Sequence, residues 1–254
     1  MKHKYTGLGV ALAGMMMASC HSHYQLTDIQ RTRIVVDKRY DQPQDTEAAA
    51  FLHPYRQQVD SIMGPVVGRL AKNMSARRPE STLSNLLADI MVWGGKAFNE
   101  RPVIGLYNMG GIRAGLPKGN VTVGDVVGVA PFENKICFIT LSGEALMELF
   151  GNIASVGGEG VSKGVAMKIK DHKLVSVTLN GQPIDPKAQY RIATIDYLVQ
   201  GNGNMTAFKR GTDLLSPQGK ENDTRFIIMN YFKEMQAAGK VIDSNIEGRI
   251  VVLK

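Results

Sequence analysis

The sequence predicts an α+β fold in which a mixed β-sheet and packed helices form a single domain. Helical periodicity is strongest over residues 80–98, where one face carries an apolar stripe. After the glycine-rich segment 157–164 the pattern changes to short strands separated by turns. Because no internal repeat and no interdomain linker follow Thr46, we expect residues 46–254 to fold as one domain.

The helices are predicted from apolar side chains spaced three and four residues apart. In the best of them, Leu83 and Leu86 share a face, and Ser81 or Thr82 can cap the first turn. Proline disfavours helical backbone at the preceding residue, so Pro54 predicts a break or a kinked start in the first helix. The predicted helices cover residues 47–63, 80–98, 143–153 and 224–238, with a turn into a short helix at 121–125.

The strands are predicted from short apolar runs rich in β-branched residues. Asn180-Gly181 is typical of a tight turn and ends one of these runs. Residues 34–36 predict one further short strand inside an otherwise polar segment. The main predicted strands cover residues 66–70, 103–107, 135–141, 165–170, 174–179, 190–194 and 248–253.

The N-terminal 19 residues have the pattern of a secretory signal peptide. Lys2 and Lys4 precede an apolar run from Leu8 to Ala18, about half the ~20 residues that a membrane-spanning helix needs. Small residues directly before Cys20 resemble a bacterial lipobox, which predicts that Cys20 is lipidated and becomes the new N-terminus. The alternative is an ordinary signal peptide with an incidental cysteine.

Lipidation of Cys20 would make the protein a cell-envelope lipoprotein. The lipid anchor would hold it on the periplasmic face of the inner or outer membrane, or at the cell surface. Residues 20–45 would then serve as a polar tether for the domain at 46–254. With Cys20 modified, Cys137 has no partner cysteine, and its apolar surroundings predict a buried free thiol.

Composition, charge and missing motifs exclude several classes of protein. With 44% hydrophobic and 21% charged residues, the chain is not collagen-like, coiled-coil or wholly disordered. A net charge of +7 is too small, and its basic residues too scattered, to predict a nucleic-acid partner. The domain has no Asp-x-His, Gly-Asn-His or His-x-His motif, no phosphate-binding loop and no Gly-x-Ser-x-Gly elbow. The sequence therefore predicts no catalytic residue, no metal site and no cofactor in this chain.

Three runs of polar and aromatic residues nevertheless suggest a ligand site. A pair of glycines after a buried strand lets the backbone approach a ligand closely while polar side chains flank it. The candidates are Asn108, Gly110, Gly111 and Arg113 in the first run, Phe132 and Asn134 in the second, and Tyr197, Asn202 and Asn204 in the third. Core packing is the alternative for each aromatic ring, and a surface salt bridge is the alternative for the arginine.

These runs belong to a series of seven landmarks. They are Glu80-x-x-Leu83-x-Asn85-Leu86-x-x-Asp89, Asn108-x-Gly110-Gly111-Ile112-Arg113, Gly119-x-Val121-Thr122, Pro131-Phe132-x-Asn134, Leu141-Ser142-Gly143-x-x-Leu146, Tyr190-Arg191-Ile192-Ala193-Thr194-x-Asp196-Tyr197-Leu198 and Glu247-Gly248-Arg249. Each is weak alone, but seven in order across residues 46–253 are specific. The chain resembles the C-terminal, nucleotide-binding domain of bacterial and animal 5′-nucleotidases, a family that includes UDP-sugar hydrolases and cyclic-phosphodiesterase relatives.

The resemblance implies that this domain binds the nucleoside part of a nucleotide. Phe132 and Tyr197 would sandwich the base between their rings, and Asn134 would hydrogen-bond the edge of the base. Stacking on flat rings contributes about 1–3 kcal/mol per base and tolerates any base.

The resemblance also implies a phosphate side of the site. Asn108 and Arg113 would meet the substrate near the phosphate, and counting along the helix motif places a further family arginine at Arg77. Arginine suits phosphate because its planar fork presents several donors. One position departs from the family, which usually has an aspartate that accepts hydrogen bonds from the ribose. Gly203 stands there in this chain, with an asparagine on each side.

The resemblance finally implies a partner. Family members carry a metallophosphatase domain before this one, with two metal ions held by Asp-x-His and Gly-Asn-His motifs. In this sequence the signal and tether occupy that place, so we expect a separately encoded metallophosphatase to supply divalent metals and the chemistry. The alternative is a non-enzymatic lipoprotein that binds nucleosides or nucleotides, or contacts another protein.

Overall fold

The computed structural model describes residues 25–40 and 45–253, so the predicted signal peptide and Cys20 lie outside the described residues. The described residues divide into two compact units, with the boundary between residues 50 and 51. In the first unit, residues 34–36 form no strand and are exposed, so the strand predicted there is wrong. A strand needs a neighbour to pair its backbone groups, and three apolar residues alone do not supply one.

All four of the longer predicted helices are present. The first continues through Pro54 without ending, contrary to the predicted break. None of its described residues is buried, so water can reach the carbonyl that the proline leaves without a donor. The α-helices are α1 (Thr46–Met63), α2 (Thr82–Gly94), α3 (Val123–Val129), α4 (Gly143–Ser155), α5 (Asp196–Val199) and α6 (Thr224–Ala237).

The strands of the described residues form three sheets, and every main predicted strand is among them. The strands are β1 (Val66–Leu70), β2 (Ile104–Tyr107), β3 (Gly119–Thr122), β4 (Ile136–Ser142), β5 (Gly160–Val161), β6 (Val165–Lys170), β7 (Lys173–Leu179), β8 (Gln182–Pro183), β9 (Gln189–Ile195), β10 (Thr212–Leu215) and β11 (Ile250–Val252). Two smaller sheets consist of β1 with β3 and of β11-β6-β7-β8, in which β11 runs parallel to β6.

The five-stranded mixed sheet, in the order β10-β4-β9-β2-β5, positions the candidate site. Strand β9 runs parallel to β2 and antiparallel to β4, with Ile192 paired to Ile104 and Ile195 paired to Ile136. The C-terminal ends of β2 and β9 therefore lie at the same edge of the sheet as the N-terminal end of β4. The loops at these three ends carry the candidate binding residues.

Helix α2 packs directly against β2. Its first turn is closed by a capping box, in which Ser81 Oγ accepts from the Ser84 N–H at 3.3 Å and Ser84 Oγ accepts from the Ser81 N–H at 3.1 Å. A Cβ on Gly105 would lie 2.1 Å from the Ala88 carbonyl oxygen. Only glycine fits this contact, so the helix and the strand that leads to Asn108 are held close together.

Cys137 lies on β4 within the core, which confirms the predicted buried thiol. Burial raises the pKa of this thiol to about 11, while a hydrogen bond with Ser216 opposes the shift. Within residues 25–40 and 45–253, no helix is both long enough and apolar enough to cross a membrane.

Candidate functional site

A cavity of about 210 Å³ opens at the shared edge of the three central strands. The loop after β2, the loop before β4 and the first turn after β9 each contribute to its wall. Its lining residues are Asn108, Gly110, Gly111, Phe132, Asn134 and Tyr197. Six of the ten residues predicted from the sequence to bind substrate therefore come together in one place.

The two aromatic rings in the cavity wall are exposed. Phe132 is 47% exposed and Tyr197 is 39% exposed, which excludes core packing as the reason for either ring. The guanidinium carbon of Arg113 lies 6.0 Å from the centroid of the Phe132 ring, at the outer limit of a cation–π contact. Exposed rings beside a concave surface offer flat apolar faces to a ligand.

Arg113 belongs to the same neighbourhood without lining the cavity. Its Nη1 donates to the Gly110 carbonyl oxygen at 3.4 Å. No carboxylate of the described residues forms an ion pair with it. The surface salt bridge considered for this residue is absent from the described part of the chain, and its charge faces outward beside the turn.

The turn after β2 brings backbone and side chain into close contact. The Gly111 N–H donates to the Asn108 carbonyl oxygen at 3.1 Å, and a Cβ on Gly111 would lie 2.5 Å from Asn108 Oδ1. Asn108 is 9% exposed, and its Oδ1 has no hydrogen-bond partner among the described residues. A buried amide oxygen without a partner is costly unless a ligand or water donates to it.

The loop that carries Asn134 is fixed from two directions. Its carbonyl oxygen accepts from the Thr224 N–H at 2.8 Å, at the start of α6. The ammonium group of the next residue, Lys135, pairs with the buried carboxylate of Asp223. The carbonyl oxygen of Lys135 accepts from the Asp196 N–H at 3.0 Å. The last bond ties this loop to the turn that presents Tyr197.

A buried phenol lies behind the turn. Burial raises the pKa of Tyr107 to about 12, although the neighbouring Thr224 side chain acts in the opposite direction. The phenol therefore stays neutral at physiological pH.

Sequence reasoning missed the carboxylate of Glu159. This side chain is 4% exposed and accepts hydrogen bonds from the Met109 N–H and from Arg78 Nη2. Burial raises its pKa, while the Met109 N–H and the positive charge of Arg78 oppose the shift. The sequence feature that could have indicated this carboxylate is that it is the one acidic residue inside the glycine-rich segment 157–164.

Three other predicted residues lie outside the cavity wall. Arg77 lines a separate open depression of about 490 Å³, together with Arg78. Asn204 Nδ2 donates to Ser155 Oγ at 2.9 Å, and Asn202 Nδ2 donates to Gln200 Oε1 at 3.3 Å. Contact of these three residues with a substrate remains a prediction from the family pattern.

In the part of the chain that the structure describes, no three His, Cys, Asp or Glu side chains are grouped so as to hold a metal ion. The described residues therefore do not fit a di-metal centre. The cavity offers apolar rings, amides and a close backbone turn, which suit binding and orientation.

Comparison with known proteins identifies the family. Residues 66–210, more than half of the chain, match the family described as "5'-nucleotidase, C-terminal domain". An apyrase of Tabanus yao is 29% identical over 172 residues, covering 59% of this chain and 30% of the apyrase. The trifunctional nucleotide phosphoesterase protein YfkN of Bacillus subtilis is 27% identical over 229 residues, covering 82% of this chain and 15% of that protein.

A solved structure shows the same fold. The 5′-nucleotidase precursor from Thermus thermophilus superposes with a TM-score of 0.72 at 29% identity, covering 84% of this chain and 44% of that protein. The chain thus spans less than half the length of these relatives. Fold and family match together show that this chain belongs to the family of the 5′-nucleotidase C-terminal domain.

Proposed function

We propose that this chain binds the substrate of a 5′-nucleotidase-type phosphohydrolase and holds a nucleotide in the cavity between Phe132 and Tyr197. The observation that carries the proposal is the pair of exposed aromatic rings on one concave wall. A base that stacks on such rings gains about 1–3 kcal/mol per stacking contact.

The polar groups of the wall suit the remainder of a nucleoside. The buried Oδ1 of Asn108 can accept from a ligand donor. The side-chain amide of Asn134, whose backbone carbonyl accepts from the Thr224 N–H, can address the edge of a base. Arg113 adds a positive charge beside Phe132 that suits a phosphate. The relatives described above, an apyrase and a nucleotide phosphoesterase, agree with a nucleotide as ligand.

The proposal extends to a partner and a location. A metallophosphatase domain on a partner polypeptide would supply the divalent metals, since the described residues do not group metal ligands. Lipidation at Cys20 would anchor the complex at the cell envelope, where it would take part in nucleotide catabolism. Both statements rest on the sequence pattern and on the family.

Calorimetry tests the binding claim. AMP, GMP, CMP and UMP are titrated into the wild-type chain, Phe132→Ala and Tyr197→Ala. Each substitution should weaken the tightest of the four by roughly 5- to 150-fold, corresponding to about 1–3 kcal/mol of stacking. Tyr55→Ala is the matched control, because that ring is 58% exposed on α1 and does not line the cavity.

Absence of binding for all four mononucleotides, or wild-type affinity in both cavity variants, would contradict the proposal.

An assay of phosphate release from AMP distinguishes the enzymatic assembly from a protein that only binds nucleotides. The purified chain with divalent metal should release none, and a metallophosphatase that co-purifies with it should restore release. Phosphate release by the chain alone would overturn the division of labour between the two polypeptides.

A further inference from the structure

We propose that Glu159 and Arg78 form a positioning pair that holds the Asn108–Gly111 turn in its ligand-binding geometry. The inference rests on the proposed nucleotide site. It concerns two residues that the ligand-site pattern of the sequence does not include, and neither lines the cavity.

The first step is the contact between the carboxylate and the turn. Glu159 Oε2 accepts from the Met109 N–H, which lies between Asn108 and Gly110. The Met109 carbonyl oxygen in turn accepts from the Ile112 N–H at 3.2 Å. The turn is thus fixed on one side by its own backbone and on the other by one buried carboxylate.

The second step is the way in which this carboxylate is held. Arg78 Nη2 donates to Glu159 Oε1, and Arg78 Nε donates to the Gly158 carbonyl oxygen at 2.8 Å. Two acceptors on consecutive residues fix the guanidinium plane. A carboxylate that is 4% exposed needs such a partner, because removal of water from an isolated charge is expensive.

The third step is the effect on the ligand. Asn108 and Gly110 line the cavity on either side of Met109, so a shift of this amide moves both neighbours. The pair does not have to touch the ligand in order to change affinity. Loss of the pair should therefore weaken the binding of adenosine and of AMP by the same factor. Loss of a direct contact between Arg78 and phosphate would weaken the binding of AMP alone.

The test measures adenosine and AMP affinities of the full chain by calorimetry for the wild type, Glu159→Ala, Arg78→Ala and the double variant. Glu159→Ala should weaken both ligands by about tenfold, a typical effect for a lost charge-assisted hydrogen bond. Arg78→Ala should weaken both by a common factor, and the double variant should be no weaker than Glu159→Ala. Glu148→Ala is the control, since it removes an exposed carboxylate that pairs with Arg210.

A ligand-free readout tests the pair directly. The Met109 amide should be protected from hydrogen exchange in the wild type and should lose protection in Glu159→Ala. Glu159→Gln keeps an oxygen that can accept from Met109, so it should retain more protection and more affinity than Glu159→Ala. If Glu159→Ala fails to fold, Glu159→Gln and Arg78→Ala still test the positioning role, since the Arg78 side chain is half-exposed.

Three outcomes overturn the inference. They are wild-type affinity in a folded Glu159→Ala, equal behaviour of the Gln and Ala variants, and a loss in Arg78→Ala that is confined to AMP. If the wild type binds neither adenosine nor AMP, the proposed function fails. Exchange at Met109 would still show whether the pair fixes the turn.

Discussion

At the scale of single residues, Gly111 determines how closely the binding turn approaches the Asn108 side chain. A Cβ at this position would lie 2.5 Å from Asn108 Oδ1, the end of a movable side chain. Gly111→Ala should therefore fold but displace Asn108, and we expect mononucleotide affinity to fall about tenfold, the effect of one hydrogen bond near 1.4 kcal/mol. Calorimetry on the folded variant measures the change.

The control for this substitution is Gly151→Ala on α4, where no atom lies within 4 Å of the added Cβ. It should leave binding unchanged and raise the free energy of unfolding by about 0.5–1 kcal/mol, since alanine is the better helix residue. Unchanged affinity in Gly111→Ala would show that Asn108 does not contact the ligand.

The sequence predicted those site residues that lie directly at strand ends. Asn108, Phe132, Asn134 and Tyr197 converge because β2, β4 and β9 are neighbours, and the motifs mark these ends. Counting along a motif does not determine where a long side chain points, and Arg77 lines a different depression. Glu159 was missed because only tertiary packing brings its carboxylate to the Met109 amide.

At the scale of elements, helix α3 connects β3 to the loop that carries Phe132. Its capping box joins Thr122 Oγ1 to the Asp125 N–H at 3.2 Å and Asp125 Oδ2 to the Thr122 N–H at 2.7 Å. Thr122→Ala should lower the free energy of unfolding by about 1 kcal/mol, measured by urea denaturation. Ser176→Ala, at an exposed position of β7, should change it by less than about 0.5 kcal/mol.

An unfolding free energy of Thr122→Ala equal to that of the wild type would show that the cap does not stabilise α3.

Most elements could be predicted because one face of each is buried, as in α2 and β4. Strand β10 was not predicted from the sequence. All four of its residues are exposed, so its sequence has no alternation of buried apolar and exposed polar residues. The predicted break at Pro54 was wrong. Because α1 has no buried face, water can reach the carbonyl oxygen that the proline leaves without a donor, and the helix continues.

At the scale of the whole molecule, Arg249 joins the C-terminal strand region to the rest of the fold. Its guanidinium is 4% exposed and donates to both carboxylate oxygens of Asp89 on α2, at 2.8 Å each. It also donates to the Val161 carbonyl oxygen of β5 at 2.9 Å. One side chain thus connects the last strand with α2 and with the edge of the central sheet.

Removal of a buried ion-pair partner costs about 3–5 kcal/mol, and the partly exposed Asp89 favours the lower end of that range. We expect Arg249→Ala to lower the free energy of unfolding by about 3 kcal/mol in urea denaturation. Arg210→Ala removes a half-exposed pair that water screens, so it should cost much less than Arg249→Ala. Equal costs for the two variants would contradict the connecting role of Arg249.

The most direct measurement of the central claim is a titration of the ¹⁵N-labelled chain with AMP, followed by amide chemical shifts. A nucleotide bound in the cavity should shift the amides of Asn108 to Gly111, Phe132 to Asn134 and Tyr197, while α1 and β8 stay unchanged. Absence of shifts at saturating AMP, or shifts confined to residues away from the ends of β2, β4 and β9, would contradict the assignment of this cavity as the nucleotide site.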